Sequence, residues 1–248
     1  MTSSNDPHGG APDDQHGFIG PILAAFAPVH RNGWAFVAGA LGAGVVLYML
    51  WEPLGWLLFV TAAAIALFFR DPTRITPVRD GLVIAPADGI VSAIETLPPP
   101  VELALGPEPR QRISTFLSVL DVHVNRTPVA GTIVRALHTP GLFLNAASPA
   151  ASGMNERRAL VVETATGEAI ALVQIAGMIA RRIVTTVDRG DKVAAGERIG
   201  LIRFGSRVDV YLPPGQIALV AIGQRMVAGE TVMADLRSPE RERPVRAS

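Results

Sequence analysis

The sequence predicts a mainly β protein with a hydrophobic helical hairpin in front of it, on three observations. Two charge-free apolar runs, 34–50 and 54–69, stand back to back around Trp51-Glu52-Pro53. Beyond Arg79 helical periodicity is weak, and short β-branched stretches alternate with Gly, Pro and Asp turns. Gly190-Asp191-Lys192-Val193-Ala194-Ala195-Gly196-Glu197 is echoed 33 residues later by Gly223-Gln224-Arg225-Met226-Val227-Ala228-Gly229-Glu230. Two copies are too few for a solenoid and point instead to a β unit built from related halves.

Residues 1–17 are polar and rich in Gly, Pro and Asp, the composition of a disordered tail. They carry no apolar run and no basic n-region, so they do not read as a signal peptide. His8 and His16 lie in this tail as solvated side chains, and no metal site is expected.

Residues 18–79 form the expected membrane-associating hairpin. Each charge-free run would make a helix roughly 25 Å long, against a hydrocarbon core of about 30 Å. Two short helices that span the bilayer or dip into one leaflet fit better than two ordinary spans. Trp34, Trp51 and Trp56 lie near the run ends, where interfacial tryptophans belong. Arg31 precedes the first run, Arg70, Arg74 and Arg79 follow the second, and Glu52 marks the tip. This pattern places both ends, and the domain that follows, at the cytoplasmic side of the cell membrane. The competing reading is a pair of buried core helices.

Residues 80–236 form the β-rich domain, and 237–248 a frayed charged tail. Strands are expected at 81–95, 113–120, 131–137, 160–163 and 169–175, with a proline-rich surface loop over 97–111. The repeated turn phrase resembles the hairpins of biotinyl- and lipoyl-type domains, which implies a barrel-sandwich-hybrid-like fold. The modification lysine of those carriers is missing from the corresponding turns.

Composition narrows the function classes. The chain has 248 residues with 22 basic and 22 acidic side chains, so nothing marks a surface for nucleic acid. With no cysteine there is no disulfide framework, thiol nucleophile or Cys-based metal site. The hydrophobic fraction of 49% is high for a soluble protein, and the two apolar runs account for it.

The stretch Ile202–Pro213 reads as strand, tight turn, strand, with Gly205-Ser206 at the bend. Glycine tolerates strained backbone and leaves its carbonyl sterically open. The next hydroxyl can add to that carbonyl in an N-to-O acyl shift. Elimination of the resulting ester leaves a pyruvoyl group where the serine stood. The competing reading is a solvated turn.

Three further phrases stand in fixed order before this one: Ala85-Pro86-Ala87-Asp88-Gly89, Asp121-Val122-His123-Val124-Asn125-Arg126 and Asn155-Glu156-Arg157. The set resembles the phosphatidylserine decarboxylase family in its short proenzyme form, over roughly residues 20–235. The resemblance implies self-cleavage between Gly205 and Ser206 and a covalent pyruvoyl cofactor derived from Ser206. Schiff-base formation with the substrate amine would then provide the electron sink for loss of carbon dioxide. It further implies conversion of phosphatidylserine to phosphatidylethanolamine by a pair of fragments of one chain. The partner is a phospholipid in the membrane, and further oligomerisation stays open.

His123 is the expected acid/base group, since imidazole exchanges protons near neutrality. Asp88 is expected to orient a base or assist the activation of Ser206. Asn145, Asn155, Glu156 and Arg157 are candidates for holding the headgroup and ordering the loop, with Arg158 as an alternative anion partner and His138 outside the core set. Longer members of the family carry a second histidine three residues after the first. Here that position is Arg126, which cannot act as a base. The base that deprotonates Ser206 is therefore left between His123 and Asp88. Two other classes remain at this point: a membrane-anchored adaptor in which Gly205-Ser206 is only a turn, and a Ser-His-Asp hydrolase. Phe204-Gly205-Ser206-Arg207-Val208 lacks the G-x-S-x-G elbow of the latter.

Overall fold

The computed structural model describes residues 27–146, 151–178, 182–203, 206–238, 240 and 246. The expected 1–17 tail, positions 18–26, Gly205 and most of the expected 237–248 tail lie outside the described residues.

Two helices come first, α1 (Trp34–Leu50) and α2 (Glu52–Phe68). The single residue between them, Trp51, is extended (φ −157°), and Pro53 sits in the first turn of α2, where a missing N–H costs nothing. Gly55 allows the close approach: a Cβ there would lie 2.4 Å from the Tyr48 Cβ. The rings of Tyr48, Trp56 and Phe59 form a cluster with centroids 5.8–6.2 Å apart. Large apolar side chains, Met49, Leu50, Trp51, Trp56 and Val60 among them, stand exposed. No helix among the described residues is long and apolar enough to cross a membrane.

The rest is mainly β. Three sheets enclose one apolar interior. The largest has eight strands: β2 (Gly89–Leu97), β3 (Arg110–Leu117), β5 (Gly131–Thr139), β6 (Arg157–Glu163), β7 (Ala169–Ala176), β9 (Lys192–Val193), β11 (Ser206–Tyr211) and β12 (Arg225–Met226). Their spatial order is β12-β2-β3-β11-β7-β6-β5-β9. Irregular pairing between Val91 and Ala93, and between Ile133 and Arg135, helps curl this sheet. Facing it are β4 (Val124–Arg126), β10 (Arg198–Ile202) and β8 (Ile183–Thr185), and a pair formed by β1 (Leu82–Ile84) and β13 (Val232–Asp235). Val83, Val91, Ile113, Leu172, Ile202, Val208 and Met233 meet in the interior. A second cluster, with Leu103, Ala159, Val173 and Tyr211, covers the other side of the large sheet. Phe68, Phe69 and Leu201 form a third, joining α2 to β10.

The repeated phrase occupies matching places. β9 pairs with the start of β5, and β12 with the start of β2, at opposite edges of the large sheet. Gly196 and Gly229 both have left-handed backbone, φ 74° and 79°. The strand expected at 113–120 lies at 110–117, so Arg110 and Gln111 leave the expected loop, which also contains a short turn at Val101–Leu103 with Leu103 buried.

One expectation is corrected. The segment around Gly205-Ser206 is not a β-hairpin, because β10 and β11 do not pair with each other. β10 pairs with β4 and β8, whereas β11 pairs with β3 and β7. The chain crosses there from one sheet to another, which delivers Ser206 into the middle of the larger one.

Candidate active site

Ser206 opens β11, opposite Leu117 of β3 and Ala176 of β7. Strand alternation turns it, with Val208 and Val210, toward the enclosed interior. Ser206 is fully buried, and its hydroxyl has no hydrogen-bond partner among the described residues.

His123 precedes β4, and its carbonyl accepts a hydrogen bond from the Ile202 N–H at 3.3 Å. Because β4 and β10 run antiparallel, His123 lies at the end of β10 that leads on to Ser206, four positions past Ile202. Nδ1 lies 2.9 Å from the Asp121 carbonyl oxygen. A carbonyl only accepts, so Nδ1 carries the proton and Nε2 presents its lone pair. Nε2 is buried and unpartnered among the described residues. Burial lowers the pKa of His123 to about 4, aided by the Arg70 charge and opposed by the Asp121 carbonyl and carboxylate. The ring is a neutral base at physiological pH.

Asn125 stands two residues on, on the same side of the chain, and accepts a 2.7 Å hydrogen bond from Gln174 Nε2. Gln174 and Thr115 flank Val208 on the inward face of the sheet. Asn125 Nδ2, Gln174 Oε1 and Thr115 Oγ1 are also buried without partners among the described residues. Each such group costs about 1–3 kcal/mol if left unpaired, and those of Gln174 and Thr115 lie on the same face of the sheet as Ser206.

Asp88 sits at the corner leading into β2. Its carboxylate lies 2.6 Å from Arg74 Nη2 and accepts the Ala228 N–H at 2.7 Å. Burial raises its pKa, and the Arg74 charge opposes the rise. β2 and β11 flank β3, so two strand spacings of roughly 5 Å separate them. The Asp121 carbonyl, not Asp88, orients the imidazole. Asp88 instead joins the chain leaving α2 to the 223–230 turn. Arg126 alternates away from His123: Nη1 donates to the Gly196 carbonyl at 2.9 Å and Nη2 to that of Pro72 at 3.2 Å.

The other expected residues divide sharply. Asn155 is fully buried and accepts the Leu144 N–H at 2.9 Å; its amide donates to the carbonyls of Leu144 and Ala176, each at 2.8 Å. It orders its loop against the neighbour of Ser206. Asn145 is exposed on that loop. Arg157 faces the far side of the sheet, 2.7 Å from Glu102. Arg158 faces inward with Gln174 beside it, and its nearest acidic group is exposed Asp188 at 3.3 Å. Glu156 Oε1 lies 3.2 Å from His138 Nε2. His138, Glu156, Arg158 and Arg182 line an open cavity of about 600 Å³ together with β8 and Asp188. Of the two adjacent arginines, Arg158 lines this cavity and Arg157 does not.

The reverse side of β11 is different. Arg207 Nε lies 2.9 Å from Asp209 Oδ1, and the same guanidinium donates to the Ala146 carbonyl and the Ser152 hydroxyl. Ser152 belongs to a short helix, α3 (Ala151–Met154).

Gln174 and Thr115 escaped the sequence reading. A polar side chain between Val173 and Ile175 in a buried strand was the available signal for Gln174. Among the described residues, no group of three or more His, Asp or Glu side chains is placed to hold a metal ion.

Residues 61–234 match the family model described as phosphatidylserine decarboxylase. The chain is also 54% identical over 223 residues to the phosphatidylserine decarboxylase proenzyme of Cereibacter sphaeroides (strain ATCC 17025 / ATH 2.4.3), covering 90% of this chain and 96% of that protein.

Proposed function

The chain belongs to the phosphatidylserine decarboxylase family, and we propose that it removes carbon dioxide from phosphatidylserine with a pyruvoyl group that it makes from Ser206. The carrying observation is Ser206 itself: a fully buried hydroxyl in a central strand, unpartnered among the described residues, four positions after Ile202, whose N–H donates to the His123 carbonyl. A serine kept only for a turn would face water.

In the precursor, His123 Nε2 takes the Ser206 proton as the oxygen adds to the Gly205 carbonyl. The amide nitrogen leaves that carbonyl and an ester forms. Loss of the Ser206 Hα and cleavage of the Cβ–O bond release the Gly205 carboxylate. Water then replaces the nitrogen of the dehydrated residue, and ammonia departs. A base of lowered pKa suits the proton removals, because it is unprotonated and poorly hydrated. Once formed, the pyruvoyl group supplies an electrophilic carbonyl that accepts the electrons left when carbon dioxide departs. His123 returns a proton to the substrate carbon. Arg158 pairs with a headgroup anion, and Glu156 with His138 bounds the cavity beside it. Asn125, Gln174 and Thr115 supply polar contacts within the interior.

The same geometry explains how two fragments stay together. β11 hydrogen-bonds to β3 on one side and β7 on the other, so the shorter fragment stays threaded between two strands of the longer one, with β12 added at the sheet's edge. In fold terms we read the domain as a barrel-sandwich hybrid whose repeated turns cap opposite sheet edges. The exposed Trp and Leu side chains of the helix pair would dock it on the cytoplasmic leaflet, where the substrate lies.

Intact-mass analysis under denaturing conditions tests the proposal. Two fragments parting after Gly205 are expected, the shorter lacking a free amino terminus, and Ser206→Ala should leave one uncut chain. A continuous polypeptide that still decarboxylates phosphatidylserine overturns it.

A further inference from the structure

We infer that Phe68, the last residue of α2, is a positioning residue for His123, so that the helix pair forms part of the active site as well as an anchor. This inference rests on the reading of His123 as the proton-transfer group. The Phe68 and His123 ring centroids are 4.2 Å apart, with the planes tilted by 36°. Phe68 is buried and belongs to the cluster with Phe69 and Leu201 that fastens α2 to β10. A second contact carries the first helix to the same region. Phe36 of α1 stacks on Phe69 at 5.7 Å, and the Arg203 guanidinium lies 5.3 Å from the Phe36 ring. Arg203 is three positions before Ser206. Both helices therefore touch the strand path that joins His123 to the reactive serine.

The Phe68 ring excludes water from one side of the imidazole, which penalises the imidazolium. An aromatic face also attracts a cation, which acts the other way. The shift of His123 is downward with burial as its largest cause, and the Phe68 ring is part of what buries it. The charged groups around His123 do not explain that direction by themselves. Asp121 favours the imidazolium, although its carboxylate is paired with Arg225 at 2.5 Å, and Arg70, just beyond α2, opposes it more weakly than burial does. Removing the ring should therefore hydrate His123 and return its pKa toward the ordinary value. A helix pair that tilts or lifts from its seat would do the same.

The test uses the full chain and a water-soluble short-acyl phosphatidylserine, which needs no bilayer, with rates referred to the fraction split into fragments. In Phe68→Ala the acid limb of the decarboxylation profile should rise by about one pH unit or more toward the free-imidazole value, so the rate at pH 5 falls about twofold or more relative to its own plateau. Phe68→Leu should rise by about half as much. Val78→Ala, at an exposed position outside the helix pair, should keep the parental profile. A Phe68→Ala limb that coincides with the parent overturns the inference; if that variant loses its thermal transition, coincidence in Phe68→Leu does so. His123→Gln separates the two levels. If it abolishes decarboxylation while the Phe68 variants keep the parental limb, only the role of Phe68 fails. If it decarboxylates at the parental rate, the reading of His123 fails, and the Phe68 inference with it.

Discussion

The two sides of β11 use the same six residues for opposite purposes. Inward lie Ser206, Val208 and Val210, flanked by polar atoms without partners among the described residues. Outward lie Arg207, Asp209 and Tyr211, drawn into ion pairs and an apolar cluster that includes α3. A strand with both sides paired would be inert, and one with neither side paired would not hold its place. On the proposed function, a buried strand presents a reactive hydroxyl without losing its register: one side would carry the chemistry, and the other fixes the backbone.

Ser206→Ala should break the inward side most completely. No fragments form and decarboxylation disappears, as read by denaturing mass spectrometry and by release of carbon dioxide. The precursor should unfold at the same or slightly higher denaturant concentration, because the change deletes a buried hydroxyl with no partner. A large loss of stability would show that Ser206 is a structural residue. His123→Gln comes next. Self-cleavage should slow by about 10²–10⁴, the usual worth of a placed acid/base group, and decarboxylation per processed molecule should fall by a similar factor.

Asp209→Ala should have the opposite profile. It leaves the buried Arg207 guanidinium without its carboxylate, and loss of one member of a buried pair costs about 3–5 kcal/mol. Urea unfolding measures this. Equal stability costs for Asp209→Ala and Ser206→Ala would erase the distinction between the two sides.

The inward side should also betray itself through pH. The folded pKa of His123 is about 4, depressed from 6.5. A group depressed on folding contributes stability that is complete above its unfolded pKa and is lost as pH falls toward the folded one. Between pH 7 and pH 5 this amounts to about 2 kcal/mol. His123→Gln lacks that component, so the stability gap between parent and variant should shift by about this much in favour of the variant on acidification.

How much of this was legible in the sequence depended on the range of the interactions. The charge-free runs 34–50 and 54–69 are local features, and the helices Trp34–Leu50 and Glu52–Phe68 follow them, the second starting two residues earlier with Pro53 in its first turn. The repeated turns were readable because Gly196 and Gly229 meet the same backbone demand. Ser206 could be singled out from its glycine neighbour, but its environment was not readable. The turn expected around it is a crossover between sheets, since β10 and β11 take partners between 15 and 99 positions away in sequence and do not pair with each other. Asp88 looked like an orienter for a base. Its pairing with Arg74 and the Ala228 amide depends on segments that only the tertiary fold brings together. Arg157 and Arg158 were indistinguishable in sequence, because strand alternation separates them only once the register is known.

That last pair offers the smallest effect and the sharpest discrimination. Arg157 and Arg158 are adjacent, identical in chemistry and assigned to opposite sides of the same sheet. Arg157 is held by Glu102 beside the outer cluster, whereas Arg158 reaches the inner cavity, where exposed Asp188 competes only weakly for it. A charge-assisted hydrogen bond to a headgroup anion is worth about 1.5–3 kcal/mol, so Arg158→Gln should raise KM for phosphatidylserine by about tenfold or more with a smaller change in kcat. Arg157→Gln should leave KM close to the parental value and lower the unfolding midpoint slightly, because its partner is part-exposed. The reverse outcome, with KM following Arg157, would place the headgroup on the outer side of the sheet and separate the cavity from the chemistry at Ser206.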